Sequence, residues 1–190
     1  MPNAFDLTKA VGFDLDGVII DHTQNKIRVA KELGLMLDVL DTPTDILNAK
    51  LGRDLAGQID KIIYDDPKIA LTPPLVPGAI GVLDFVSKNR PHFLISRRQP
   101  PFMIPVKLLR RHGLWPKYFN EKNSFFVVTK EDKDEKAIEL GINLYIDDQP
   151  SVLEKMPSVP NRFLLDLLGA YKDDIYYRKI SSWSDFFKYI

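Results

Sequence analysis

Cysteine is absent from the 190 residues. That excludes disulfides, thiolate nucleophiles and cysteine-held metals, and it leaves a reducing cytoplasm as the expected compartment. Net charge is missing too. The 26 basic and 26 acidic side chains cancel, so there is no bulk field to draw a nucleic-acid polymer or an anionic membrane surface. No apolar run approaches the roughly 20 residues that span a bilayer. The opening Met1-Pro-Asn-Ala-Phe-Asp-Leu7 lacks the basic-then-apolar order of a secretory signal, and none is expected. There is no internal repeat and no low-complexity tract. The three histidines have no metal-ligand spacing.

What is present is a chain that is 45% hydrophobic, enough for a substantial core, at a length that fits one domain with room for an insertion. Its organising stretch is Val11-Gly-Phe-Asp-Leu-Asp-Gly-Val-Ile-Ile20. Ala10 to Leu15 reads as a short buried parallel strand. Asp14 and Asp16 follow the apolar run, and strand alternation sends positions 14 and 16 to the same side. Gly17 permits a sharp turn. An Asx turn is the bland account of Asp16-Gly17. Buried carboxylates are costly unless paired or metal-bound, which favours function over that account.

From Asp21 to Val76 the pattern is helical throughout: one helix to about Leu35, a second after Thr42-Pro43, a third over Arg53 to Tyr64. Beyond Pro77 the chain alternates. Helices are expected over Ala79–Lys88, Pro101–His112, Asp132–Leu140, Pro150–Met156 and Ser184–Tyr189, the last capped by Ser184. Strands are expected at His92–Ser96, Ser124–Thr129, Leu144–Ile146, Arg162–Leu168 and Tyr176–Ile180. This predicts an α/β fold: a three-layer, Rossmann-like parallel sheet with helices on both faces. Residues 1–20 and 77–190 form its core, and residues 21–76 a small helical insertion.

In such a sheet, ligands bind at the carboxyl ends of the strands. Three expected strands end in polar residues: Asp14/Asp16, Ser96 and Asp147/Asp148. Placed together with a lysine, they give four carboxylates, a hydroxyl and an ammonium. Oxygen-only donors of this charge point to magnesium. A phosphoryl group fits the remainder, with Ser96 and the lysine donating to its oxygens. One of the first two acids would attack phosphorus while the other serves as acid and base.

These residues resemble the haloacid dehalogenase (HAD) superfamily of aspartate-nucleophile hydrolases. The resemblance runs from Val11 to about Pro150. It is carried by Phe13-Asp-Leu-Asp-Gly-Val18, Phe93-Leu-Ile-Ser96 and Leu144-Tyr-Ile-Asp-Asp148. A narrower stretch, Ile146-Asp-Asp-Gln-Pro150 with the later Trp183, is similar to the deoxyribonucleotidase-like branch. The resemblance implies Asp14 as nucleophile and Asp16 as acid/base, with the Asp16 backbone carbonyl also on magnesium. It implies Asp148 as the direct metal ligand, with Asp147 in support. It also implies a helical C1 cap in residues 21–76 that selects the leaving group. The family's lysine falls among Lys130, Lys133 and Lys136. Lys133 is preferred at the helix entrance, and Lys136 is the other choice.

Arg97 and Arg98 follow Ser96. Arg97 is taken as a phosphate or substrate contact, against a reading of both as loop arginines in solvent. His22 reads as a surface histidine at the hinge. The expected activity is magnesium-dependent hydrolysis of a small phosphorylated metabolite, of the nucleotide or sugar phosphate class, through an aspartyl-phosphate. A phosphotransferase or mutase on the same fold and a non-catalytic HAD-like binding protein are the alternatives. A dehalogenase fits poorly, because a second acid at position 16 and an acidic pair at 147–148 have no task in it. No membrane or nucleic-acid partner is expected.

Overall fold

A computed structural model describes residues 9–100 and 102–190. The expected signal-free opening and the Pro101 helix entrance lie outside the described residues. The elements run β1 (Ala10–Phe13), α1 (Thr23–Glu32), a 3-10 turn (Val39–Asp41), α2 (Thr44–Leu51), α3 (Arg53–Asp65), α4 (Pro67–Ala70), α5 (Ala79–Asn89) and β2 (His92–Arg97). There follow α6 (Met103–Arg111), β3 (Ser124–Val127), α7 (Glu131–Glu139), β4 (Ile142–Asp147), α8 (Pro150–Leu153), β5 (Asn161–Leu165), β6 (Arg178–Ile180) and α9 (Trp183–Phe186). The strands form one parallel sheet in the order β3-β2-β1-β4-β5-β6. Among the described residues, no helix is long and apolar enough to cross a membrane.

Strand alternation sorts the apolar side chains into two cores, which is why the sheet is covered on both faces. Val11, Phe13, Leu94, Leu144, Ile146 and Phe163 pack to one side with residues of α5, α6 and α9. Ile95, Tyr145 and Leu164 pack to the other with residues of α7 and α8. Gly12 makes room for this second core. A Cβ there would lie 2.5 Å from the Tyr145 ring, whose hydroxyl donates to the Ile95 carbonyl at 2.7 Å.

The helices between β1 and α5 have a hydrophobic cluster of their own: Val29, Ala30, Leu47, Ala56, Ile59 and Ile63. Its two connections to the sheet lie side by side. Asp21 N donates to Pro74 O and Val76 N to Ile19 O, each at 2.9 Å. A further tie runs from α2 to α8, where Ser151 donates to both carboxylate oxygens of Asp45, at 2.6 Å from Oγ and 3.1 Å from N.

Two local expectations are corrected. The last helix is capped by Ser182, not Ser184. Ser182 is extended and its side chain accepts from Asp185 N at 3.2 Å, while Trp183 begins the helix and Ser184 lies inside its first turn. Burial of Trp183 sets that register. Its indole packs near Phe13 and donates to Val18 O at 3.1 Å. The first strand stops at Phe13 rather than Leu15, because Leu15 O accepts from both Ile19 N and Ile20 N and the chain curls into a turn.

Candidate active site

The site lies at the carboxyl edge of β1, β2 and β4. Phe13 is paired with Ile146, so the next residues, Asp14 and Asp147, come level. Asp14 N donates to Ile146 O at 2.9 Å and holds that register. Gly17 then turns with φ +79°, and a Cβ there would fall 2.1 Å from Asp148 Oδ2. Any side chain at position 17 would displace Asp148 as well as strain the backbone.

Lys133 supplies the cation. Its side chain is 2% exposed, and its ammonium donates to Asp14 Oδ1 at 2.7 Å and Asp147 Oδ2 at 2.8 Å. The start of α7 is fixed by reciprocal bonds: Thr129 N donates to Asp132 Oδ2, and Asp132 N to Thr129 Oγ1. That closed turn holds the next residue, Lys133, inward. The other two lysines go elsewhere. Lys130 bonds Ser151 Oγ, and Lys136 bonds Glu139 on the surface.

Asp14, Asp147 and Asp148 offer carboxylate oxygens that all lie within 4.8 Å of one another. One ammonium does not balance three carboxylates. Burial pushes Asp14 up to about 7, against the pull of Lys133 and with the push of Asp147 and Asp16. Burial, then Asp147 and Asp14, hold Asp148 well above the usual carboxylate range. Asp147 has both oxygens engaged, Oδ1 by Gln149 N and Oδ2 by Lys133. Asp148 Oδ1 is buried with no protein partner. A close set of hard oxygen donors with surplus negative charge and an unpaired buried oxygen fits a magnesium ion.

The carboxylate of Asp16 is not among those three. Asp16 Oδ1 accepts from Arg98 Nη2 at 2.6 Å and from His22 Nε2 at 2.7 Å. Burial alone would raise this acid, but Arg98 and then His22 draw it down to about 2. Tyr64, on α3, backs both partners. The Arg98 guanidinium sits 3.8 Å over its ring, and His22 meets it edge-on at 5.1 Å. The reading of His22 as a surface histidine is therefore corrected: it is 4% exposed. The turn at Gly17, where Gly17 N bonds Ile20 O, doubles the chain back and returns residue 22 to residue 16.

Ser96 is buried at the end of β2, and its Oγ has no protein partner. Ser96, Arg97, Asp14, Asp16 and Lys133 line a small cavity of about 40 Å3, together with Asp60 and Tyr64 from α3. Burial raises Asp60 above the usual carboxylate range, against the pull of Lys26 in α1 and of Arg97. Strand parity could have singled out Arg98, which shares the side of Ser96. Nothing local marks Tyr64 or Asp60, which arrive from α3. A second cavity of about 520 Å3 opens next to the first, and Asp16, Thr44, Tyr64 and Gln149 line both.

No protein-family model matches the chain, and no curated protein matches its sequence. Solved structures do match in fold. A haloacid dehalogenase-like hydrolase of Streptococcus pneumoniae aligns over 96% of this chain and 98% of its own, with TM-score 0.64 and 16% identity. A HAD-hydrolase of Bacillus subtilis, solved with magnesium bound, aligns over 95% and 97%, with TM-score 0.64 and 14% identity. A protein described as a predicted phosphatase from Clostridium acetobutylicum aligns over 95% and 97%, with TM-score 0.64 and 15% identity. The chain thus has the fold of the HAD-superfamily hydrolases, as its motifs imply, including the six-stranded parallel sheet.

Proposed function

We propose that this chain is a magnesium-dependent phosphatase that hydrolyses a small phosphomonoester through an aspartyl-phosphate on Asp14. The observation that carries the reading is Lys133, buried between Asp14 and Asp147 beside Asp148, at the strand edge where HAD-type hydrolases, one of them a predicted phosphatase, share the fold.

In this reading the Asp14 carboxylate attacks phosphorus, an O–P bond forms, and the ester P–O bond breaks. Asp16 gives a proton to the departing alkoxide. A water then attacks the acyl phosphate while Asp16 takes its proton, and inorganic phosphate leaves with Asp14 restored. Lys133, the unpartnered Ser96 hydroxyl and Arg97 hold the phosphoryl oxygens. Asp14 and Asp148 would hold magnesium, with Asp147 supporting through its bonds to Lys133 and Gln149 N. When bound, the ion supplies the positive charge that keeps Asp14 ionised and draws phosphoryl oxygens to the site.

Asp16 as seen is set for its second task, taking a proton, since Arg98 and His22 hold it ionised. To donate, it must lose one of those bonds. Both partners rest on Tyr64, so the helices of residues 23–70 act as a cap whose position governs Asp16.

The test is turnover of a generic aryl phosphate with magnesium. Asp14→Asn abolishes it with an unchanged circular dichroism spectrum. Full-rate hydrolysis by that variant overturns the nucleophile and the reading with it.

A further inference from the structure

The larger cavity says what the alcohol of the substrate is like. At about 520 Å3 it is the size of an ordinary small-molecule site. It meets the small cavity at Asp16, the residue placed to protonate the leaving oxygen. With the phosphoryl group in the small cavity, the organic part of the ester enters the larger one.

The lining of that chamber holds no lysine and no arginine among the described residues. It does hold four acids: Asp16, Asp21, Asp148 and Asp166. Cations behind the wall are already engaged. The Lys26 ammonium donates to Thr42 O at 2.8 Å and Thr44 Oγ1 at 3.0 Å, and Lys179 bonds Tyr171 O at 2.7 Å. Much of the remaining wall is apolar, with Val39, Val76, Leu165 and Leu168 among it. A second phosphate or a carboxylate on the substrate would meet no lysine or arginine on this lining; His22 already serves Asp16, and Asp21 and Asp166 are acids of its own sign. Among the lining's buried polar atoms without a protein partner, the uncharged Gln149 Oε1 can only accept, so it suits a hydroxyl or amide N–H.

We infer that the chamber takes the uncharged, apolar-bodied alcohol of a phosphomonoester and rejects alcohols that carry a further anion. This inference rests on the phosphatase reading for the direction of the substrate. It excludes bisphosphates and phosphorylated carboxylic acids as good substrates.

The experiment separates the two claims. A hydroxynaphthamide and the hydroxynaphthoate of the same substitution pattern match in size and differ in charge. Their binding to the full chain with magnesium is measured by calorimetry near neutral pH, and the turnover of their phosphate monoesters is measured alongside. The amide is expected to bind about tenfold tighter or more, since like-charge apposition is costly. Leu167→Lys, at the exposed rim of the chamber, is expected to shrink that gap to about threefold or less by supplying the missing cation. Equal or tighter binding of the carboxylate, or no binding of either compound at millimolar concentration, overturns the chamber assignment. Preference for the amide without turnover of either ester upholds the chamber and overturns the phosphatase reading instead.

Discussion

Asp14 and Asp16 stand two residues apart and meet opposite surroundings. Asp14 sits on a floor built by the sheet and α7, where three carboxylates cluster around one ammonium, Lys133, which bonds two of them, and the acid is pushed up to about 7. Asp16 sits on a wall where two basic partners serve one carboxylate and draw it down to about 2. The floor lacks positive charge, and a divalent ion would complete it. The wall is already balanced, and Tyr64 of α3 backs both of its basic residues. A site that needs a nucleophile from one acid and proton transfer from the other gains from this split, because neighbours rather than residue type set each acid's state.

The sharpest way to break the contrast is to remove the floor's ammonium. Lys133→Met leaves Asp14 and Asp147 buried without compensation and is expected to cost about 3–5 kcal/mol, read by urea denaturation. Adding Asp147→Asn to that variant should recover part of the loss. A single variant as stable as the parent denies that the ammonium holds the floor together.

Relieving the floor should do the opposite. The folded-state pKa of Asp14 lies above its unfolded value, so its ionisation weakens the fold as pH climbs from about 4 through about 7. Without divalent ions, Asp14→Asn is therefore expected to gain about 4 kcal/mol at about pH 8 and little at about pH 4. Magnesium should close the gap by stabilising the parent alone. Thermal melts with and without a chelator check this, and an equal effect at both pH values refutes it.

The wall carries the reverse sign. The folded pKa of Asp16 is depressed, so its contribution is complete above the unfolded value and is lost as pH falls through about 2. Arg98→Met should remove about 2 kcal/mol at neutral pH, and the difference from the parent should shrink in strong acid. Acid titrations of the two proteins supply the measurement. The smallest effect is expected at Lys136→Ala. The lysine pairs with Glu139 on the surface, so stability and turnover should stay within about 0.5 kcal/mol of the parent. A large loss there would move the proposed catalytic role away from Lys133.

Much of the architecture is legible in the order of residues. Alternating apolar runs imply the parallel sheet, and acids just after the runs at Phe13 and Ile146 imply the floor. Lys133 is preferred over Lys136 from its place at the helix entrance, and its ammonium does meet Asp14. The wall is harder to read. His22 looks like a surface residue along the chain, because its burial depends on the Gly17 turn and on Tyr64 covering it. Arg97 is taken as the substrate contact and does line the small cavity, but Arg98 is the one that binds Asp16. Tyr64 and Asp60 look like ordinary helix residues until α3 is folded over the sheet.

The sequence by itself determined which groups arrive at the strand ends, because strand alternation, turn glycines and helix entrances are local properties of neighbouring residues. Only the tertiary structure decided which charge each acid meets. Lys133 reaches Asp14 across 119 positions of chain and Arg98 reaches Asp16 across 82. Coulombic energies depend on distance in space and on burial, and neither is written in the order of residues along the backbone.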